Sequence, residues 1–296
     1  MLKNSNGQHL QLLSTDSYDE ILRIEKSGDY GIDEVAFNGR FIAYSDCKET
    51  QIFSFDKEQL KLRKLTRKVC SQAGIRKLPS AAFLAIKPTE DGQAEQLILV
   101  TKDLVVCTID LKTCEITQVC NKSTFEQGQT EMRDYDKIVT SAHFNPVSNR
   151  LVLAFASSKY FSVIDLGVKN TLYWRLPSLT NQGIPLVFSS DVDKLLVGYD
   201  SNRLAIFDLL NRQVHPWTNK NLNAMPKNFL NRYNKFAGAI QLNEHKYILY
   251  TSYTFCVLDL TAMVPEAVEM VQNHPSKTSE GKQLVAETWF DNLKLS

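Results

Sequence analysis

Between residues 57 and 77 the sequence KEQLKLRKLTRKVCSQAGIRK carries Lys57, Lys61, Arg63, Lys64, Arg67, Lys68, Arg76 and Lys77, with Glu58 as its only carboxylate. Cations at this density can do one kind of chemistry. They displace counterions from a polyanion, gripping phosphates with little regard for base sequence, or they dock an acidic loop of a partner. The same residues also read as a solvated outer β-strand in which Leu60, Leu62 and Leu65 turn partly toward a core. A second basic stretch, AMPKNFLNRYNKFAGAIQL at 224–242, adds Lys227, Arg232 and Lys235 as candidate contacts with RNA or a partner. There Asn223 is placed to cap a short helix with Pro226 in its first turn. Helical spacing puts Phe229, Leu230 and Tyr233 on one face and leaves the cations to solvent, so the segment reads as a bracket between two strands. Exposed rings would instead offer RNA a stacking platform.

Other chemistries find no residues to carry them. The six cysteines, at positions 47, 70, 107, 114, 120 and 256, form no C-x-x-C pair, and the five histidines lack a partner at helical spacing. Reduced thiols and no metal or other cofactor are expected, with stability indifferent to reductant and chelator. Cys107 and Cys256 sit in the apolar runs LVVCTID and TFCVLDL, where a thiol packs as a small hydrophobe. No Gly-rich phosphate loop, G-x-S-x-G elbow or H-E-x-x-H occurs, so neither catalysis nor a small-molecule substrate is expected. The balance of 34 Lys and Arg against 33 Asp and Glu gives a net charge of +1. Any polyanion contact is therefore local. No apolar run is long enough to cross a membrane, and MLKNSNGQHLQLLSTD has no signal-peptide character, so an intracellular protein with no membrane partner is expected.

The elements that must position these residues emerge from a repeat. Five alternating runs close on aspartate: QIFSFD at Asp56, VVCTID at Asp110, YFSVID at Asp165, LAIFD at Asp208 and FCVLD at Asp259. A carboxylate at a strand tip accepts amide hydrogen bonds from the turn that follows, which is a structural role, not a catalytic one. Each run is preceded by a second strand (RFIAYSD, QLILVTKD, RLVLAFASS, KLLVGYD, KYILYTS) and, before that, by a third apolar run ending in a turn signal. After most of the aspartates comes a poorer fourth strand, as in KLRKLT and CEITQV.

Four short antiparallel strands recurring at about fifty residues describe the blade of a WD-type β-propeller. The fold class expected is thus all-β, with five recognisable blades, degenerate repeats and a ring whose closure is incomplete or irregular. A two-sheet sandwich is the rival architecture. Residues 1–27 read as a half blade of two outer strands, 28–262 as the blades, and 263–296 as a linker with an amphipathic tail.

GIDEVAFNGRFIAYSDCKETQIFSFD and, farther on, MPKNFLNRYNKFAGAIQL followed by TFCVLDL resemble the C-terminal propeller of the cirhin family. The resemblance covers most of residues 30–262, and PKNF is its least generic part. Members of that family are WD-repeat subunits of the small-subunit processome, associated with the U three small nucleolar RNA. The resemblance implies a non-enzymatic nucleolar scaffold for pre-18S ribosomal RNA processing and assembly that binds sister subunits and pre-ribosomal RNA. The other class the sequence permits is a peptide-reading adaptor, such as the substrate receptor of a ubiquitin ligase.

Overall fold

The computed structural model describes residues 2–3, 9–14, 16–17, 19–25, 30–87, 95–126, 138–156, 160–177, 179, 183–188, 193–199, 202–222, 236–251 and 255–261. They form two compact units, Met1–Val139 with Ile164–Leu172, and Thr140–Val163 with Tyr173–Ser296.

In the first unit, β1 (Leu2–Lys3), β2 (His9–Leu13) and β3 (Glu20–Glu25) make a three-stranded sheet. A four-stranded sheet follows: β4 (Ile32–Phe37), β5 (Phe41–Asp46), β6 (Thr50–Asp56) and β7 (Lys61–Lys64), with helix α1 (Thr66–Ala73) after its last strand. The third sheet comprises β8 (Ala81–Lys87), β9 (Gln96–Thr101), β10 (Val106–Asp110) and β11 (Ile116–Cys120), and the short helix α2 (Lys122–Glu126) succeeds it.

The second unit carries most of the sheet β12 (Val139–Asn145), β13 (Arg150–Phe155), β14 (Tyr160–Asp165) and β15 (Trp174–Pro177). Next come β16 (Gly183–Phe188), β17 (Lys194–Tyr199), β18 (Leu204–Asp208) and β19 (Gln213–Val214), with helix α3 (Pro216–Asn221). Last are β20 (Gly238–Asn243), β21 (Lys246–Tyr250) and β22 (Phe255–Asp259).

Within each unit the sheets stack face to face. Leu10 and Ile24 of the first sheet meet Ile42, Tyr44 and Phe55 of the second, while Ala43 and Ile52 of that second sheet pack against Leu84, Leu97 and Ile109 of the third. In the other unit Leu195, Val197 and Phe207 face Val152 and Phe161, and Leu196 and Ile206 face Tyr247 and Leu249. Consecutive residues of one strand thus serve two different cores. That is why the second strand of a sheet reads as an unbroken apolar run instead of alternating: both faces of β5 and β13 are buried along their whole length. The first strands are half-exposed by comparison, and neighbouring sheets come closest there, β4 beside β8 and β16 beside β20. Short antiparallel sheets, stacked and converging at their first strands, are β-propeller blades.

The aspartate closing the third strand of each of the five repeat units is an acceptor for the turn beyond it. Asp56 Oδ1 takes the amides of Glu58 and Gln59 at 3.0 and 3.1 Å, and Asp110 Oδ1 those of Lys112 and Thr113 at 2.8 and 2.7 Å. Asp165 accepts from Gly167, Asp208 from Asn211, and Asp259 from the amide and hydroxyl of Thr261. The side chain and amide of Thr261, with Lys246 Nζ 3.2 Å away, hold Asp259 down at about 2. Burial works to raise Asp208, but the amide and side chain of Asn211 outweigh it and leave this carboxyl below its ordinary value. The device is wider than the five aspartates. Asn38, Asp46, Asn145 and Asn243 accept amides in the same way at earlier turns of their sheets.

A leucine follows four of these aspartates, and at three of them its amide returns to the residue just ahead of the second strand: Leu111 to Glu95 O, Leu209 to Asp193 O and Leu260 to His245 O, at 2.8–2.9 Å. Leu111 and Leu209 are buried in the inter-sheet cores. Two of the acceptor residues also reach sideways. The Glu95 carboxylate takes Asn38 Nδ2 at 3.0 Å and Arg40 at 3.5 Å from the preceding sheet, and Asp193 pairs with Arg150 of its preceding sheet. Arg40 and Arg150 hold equivalent places, at the turn from first to second strand. Arg150 is further packed over the Tyr173 ring, 3.8 Å from its centroid, with Arg212 at 4.4 Å.

The expected first three strands of all five repeat units are present. The segment at 57–77, read as one outer strand, is instead strand β7 followed by helix α1, because Thr66 binds the edge of β6 where the strand would have continued. The helix expected from Asn223, with Lys227, Arg232 and Lys235, and the tail at 263–296 lie outside the described residues.

His143 on β12 is half-buried and stacks on Phe188 at 5.4 Å between ring centroids, and desolvation lowers its pKa from 6.5 to about 4. An unfolded chain takes up this proton near 6.5 and the folded chain only near 4, so unfolding gains ground as the pH falls through that window. Stability measured by urea titration should be full above 6.5 and decline toward 4. His143→Phe should flatten that part of the profile.

Candidate functional site

Seven cations of the basic segment are exposed: Lys61, Arg63 and Lys64 on β7, Arg67 and Lys68 on α1, Arg76 and Lys77 on the loop leading to β8. Three separate devices place them. Strand β7 pairs with the second half of β6, Lys61 opposite Asp56 and Lys64 opposite Phe53. Leu62 then turns into the core between the first two sheets, and the charged residues are left outside.

Beyond Lys64 the first half of β6 has no strand at its edge among the described residues. Its exposed backbone is met by α1 instead. Thr66 Oγ1 accepts the Ile52 amide at 2.7 Å and donates to the Ile52 carbonyl at 3.4 Å, and the Leu65 amide donates to that same carbonyl at 2.8 Å. Thr66, Val69 and Cys70 therefore face inward, which commits Arg67 and Lys68 to solvent. The helix stops at Gly74, whose φ of 67° suits a residue without Cβ, and Ile75 N–H returns to Cys70 O at 3.0 Å. The chain carrying Arg76 and Lys77 is next pinned by Thr50, whose amide donates to Leu78 O at 3.2 Å and whose hydroxyl donates to Pro79 O at 2.7 Å.

The result is an open depression of about 600 Å3 bounded by Lys64, Arg67, Arg76 and Lys77. It does not gather all of the expected contacts. Lys61 is hydrogen-bonded to Gln59 at 3.2 Å, and Arg63 and Lys68 lie outside the lining. None of the seven is ion-paired among the described residues, whereas Arg40, Lys102, Arg150 and Lys246 are all paired with carboxylates. Glu49 and Gln51, also in the lining, were not singled out from sequence. The sequence offered no signal for them, because TQIFSFD mixes polar and apolar residues and Gln51 does not stand out in it.

Among the described residues no group of three His, Cys, Asp or Glu is arranged to hold a metal ion. Cys107 and Cys120 are pushed up by burial to about 11 and about 12, far from thiolate reactivity. No helix among the described residues is long and apolar enough to cross a membrane.

No family profile matches the chain. Over 280 residues it is 23% identical to U3 small nucleolar RNA-associated protein 4 of Schizosaccharomyces pombe, a similarity that takes in 90% of this chain and 38% of that protein. The chain thus spans well under half the length of the relative.

Since Thr66 replaces a strand at the β6 edge, Thr66→Val should leave the Ile52 amide without its hydroxyl partner and cost about 1–3 kcal/mol. Denaturant titration measures the loss. In the second unit Thr218 of α3 meets the Ile206 amide at 2.7 Å and carbonyl at 3.1 Å, so Thr218→Val should behave alike.

Proposed function

We propose that this chain is a non-enzymatic scaffold of a ribosome-biogenesis complex, the small-subunit processome, acting in the nucleolus on pre-18S ribosomal RNA. The observation that carries the reading is the similarity to U3 small nucleolar RNA-associated protein 4 along 90% of the chain, on sheets of the propeller type. A propeller suits the role because its stacked blades offer several rigid surfaces at once. Sister subunits bind through such surfaces, and the basic rim of β7, α1 and the 75–77 loop is the contact for pre-ribosomal RNA.

The rim supports this by its lack of internal work. Cations already paired with carboxylates serve the fold, while these are free to release counterions from an incoming phosphate chain. Lys227, Arg232 and Lys235 remain candidate contacts of the same kind, and Asp56, Asp110, Asp165, Asp208 and Asp259 are the turn carboxylates that hold the blades. The adaptor reading has no observation of its own in its favour.

Charge reversal tests the rim. Replacing Lys64, Arg67, Arg76 and Lys77 together by Glu should leave the melting temperature near that of the parent and weaken binding to single-stranded pre-ribosomal RNA. The slope of log K against log salt should become shallower by about 0.7 for each phosphate contact removed. An unchanged slope would return the segment to a solvated face.

A further inference from the structure

The last sheet in chain order, β20 to β22, differs from those before it. In each four-stranded sheet the second strand is buried on both faces, apart from at most its first residue. Strand β21 is buried on one face alone. On that face Tyr247 and Leu249, with Ala239, Cys256 and Leu258, enter the core shared with the preceding sheet. The registers set Ile240, Ile248 and Val257 side by side across the opposite face, and Gly238, Tyr250 and Phe255 in another row of it. The Tyr250 ring lies across Gly238, where a Cβ would collide with it, so this row too presents an aromatic surface. Ile240 stays 54% exposed and Tyr250 39%, and Ile248, Phe255 and Val257 are only half-buried. The first sheet also leaves a face open, but with polar chemistry: Gln11 Nε2 donates to Glu20 at 2.7 Å, and Arg23 pairs with Glu25 at 3.0 Å. Water suits that face, whereas the apolar face of β20 to β22 calls for a cover.

Residues 262–296 follow Thr261 in the chain, and they contain a cover of matching chemistry. The stretch QNHPSKTSEGKQ at 272–283 is polar, and LVAETWFDNL at 284–293 brings Trp289 and Phe290. At helical spacing Val285, Ala286, Trp289, Phe290 and Leu293 fall on one side, with Glu287 and Asp291 on the other. We propose that 284–293 docks its apolar side on the open face of β20 to β22, as an intramolecular strap. Size favours the strap over a separate partner. Three strands about 4.8 Å apart, rising about 3.3 Å per residue, make a face on the order of 250 Å2. A stable complex between free proteins buries about 800 Å2 on each. A tethered segment needs no such area, because its linker holds it at a local concentration of roughly millimolar. The polar stretch also supplies the reach, since a flexible chain of its length spans roughly 20 Å, about one strand. The strap is independent of the RNA reading and goes beyond it. It makes the chain's own segment the first occupant of a surface that a sister subunit stacking there has to clear.

Fluorine NMR of the whole chain labelled with fluorotryptophan tests this. Three resonances arise, from Trp174, Trp217 and Trp289, and Trp289→Phe identifies the one that matters. In the folded chain the Trp289 resonance should be displaced from its position in urea. Ile240→Lys, a charge at an exposed place on the face, should return it there while the Trp174 and Trp217 resonances report an intact fold. Ending the chain after Gln283 should raise the binding of an apolar dye severalfold, because the face is then bare. Should Ile240→Lys fail to fold, the parent resonance and the shortened chain decide together. A Trp289 resonance at its urea position in the folded parent overturns the strap, and so does dye binding that is equal with and without 284–296. A displaced resonance that Ile240→Lys leaves in place puts Trp289 on another surface and also overturns it. If the displacement vanishes on dilution, in step with dissociation of a dimer in sedimentation, the face belongs to the segment of a second copy and the intramolecular contact is wrong.

Discussion

Five of the six sheets depend on the turn that closes their third strand. The aspartate there holds the turn by its amides, and the residue after it, at Leu111, Leu209 and Leu260, ties the turn back to the entry of the second strand. At Leu111 and Leu209 the side chain then fills the space between sheets. One dipeptide therefore stabilises the hairpin within a sheet and the stacking between two. Glu95 and Asp193 extend that link laterally to Arg40 and Arg150, so the same corner also fixes the spacing of neighbouring sheets. Arg150 and Asp193 are shielded by the sheets they join, whereas Arg40 stays largely exposed, and the value of such pairs lies as much in register as in net stabilisation.

The basic depression is a by-product of that construction. Strand β7 is too short to cover β6, a helix is drafted to finish the edge, and the chain must return past Thr50 to begin the next sheet. Each of the three steps leaves cations at the surface, because the inward positions go to Leu62, Thr66, Val69, Cys70 and Leu78. The site is thus carried by rigid supports rather than by a long loop, which keeps its cations apart from one another at little entropic cost.

Much of the blade pattern is legible in the sequence because both of its signals are local. Aspartate endings mark the turns, and runs such as LVLAF announce strands buried on two faces. Helix α1 is not legible, since LKLRKLTRKV satisfies strand alternation as well as helical spacing. What decides between them is the contact of Thr66 with Ile52, fourteen residues earlier in the chain. The cations of the site are equally plain, whereas Gln51 and Glu49 are not. Their meaning depends on which half of β6 its neighbour leaves uncovered, and only the pairing of Phe53 with Lys64 reveals that. The Glu95 and Asp193 links escape the sequence for a similar reason: their partners are 55 and 43 residues away, across a sheet boundary.

The threonines at the β6 and β18 edges bear on whether another chain can add to these sheets. An open strand edge is a template on which another chain can zip, and short outer strands would leave half of such an edge exposed. Thr66 and Thr218 each occupy both the donor and the acceptor of one residue there, with a helix body wrapped behind them. A single hydroxyl thereby breaks the ladder at the point where an intruding strand would have to start, which makes these two residues guards against aggregation as well as supports of the fold.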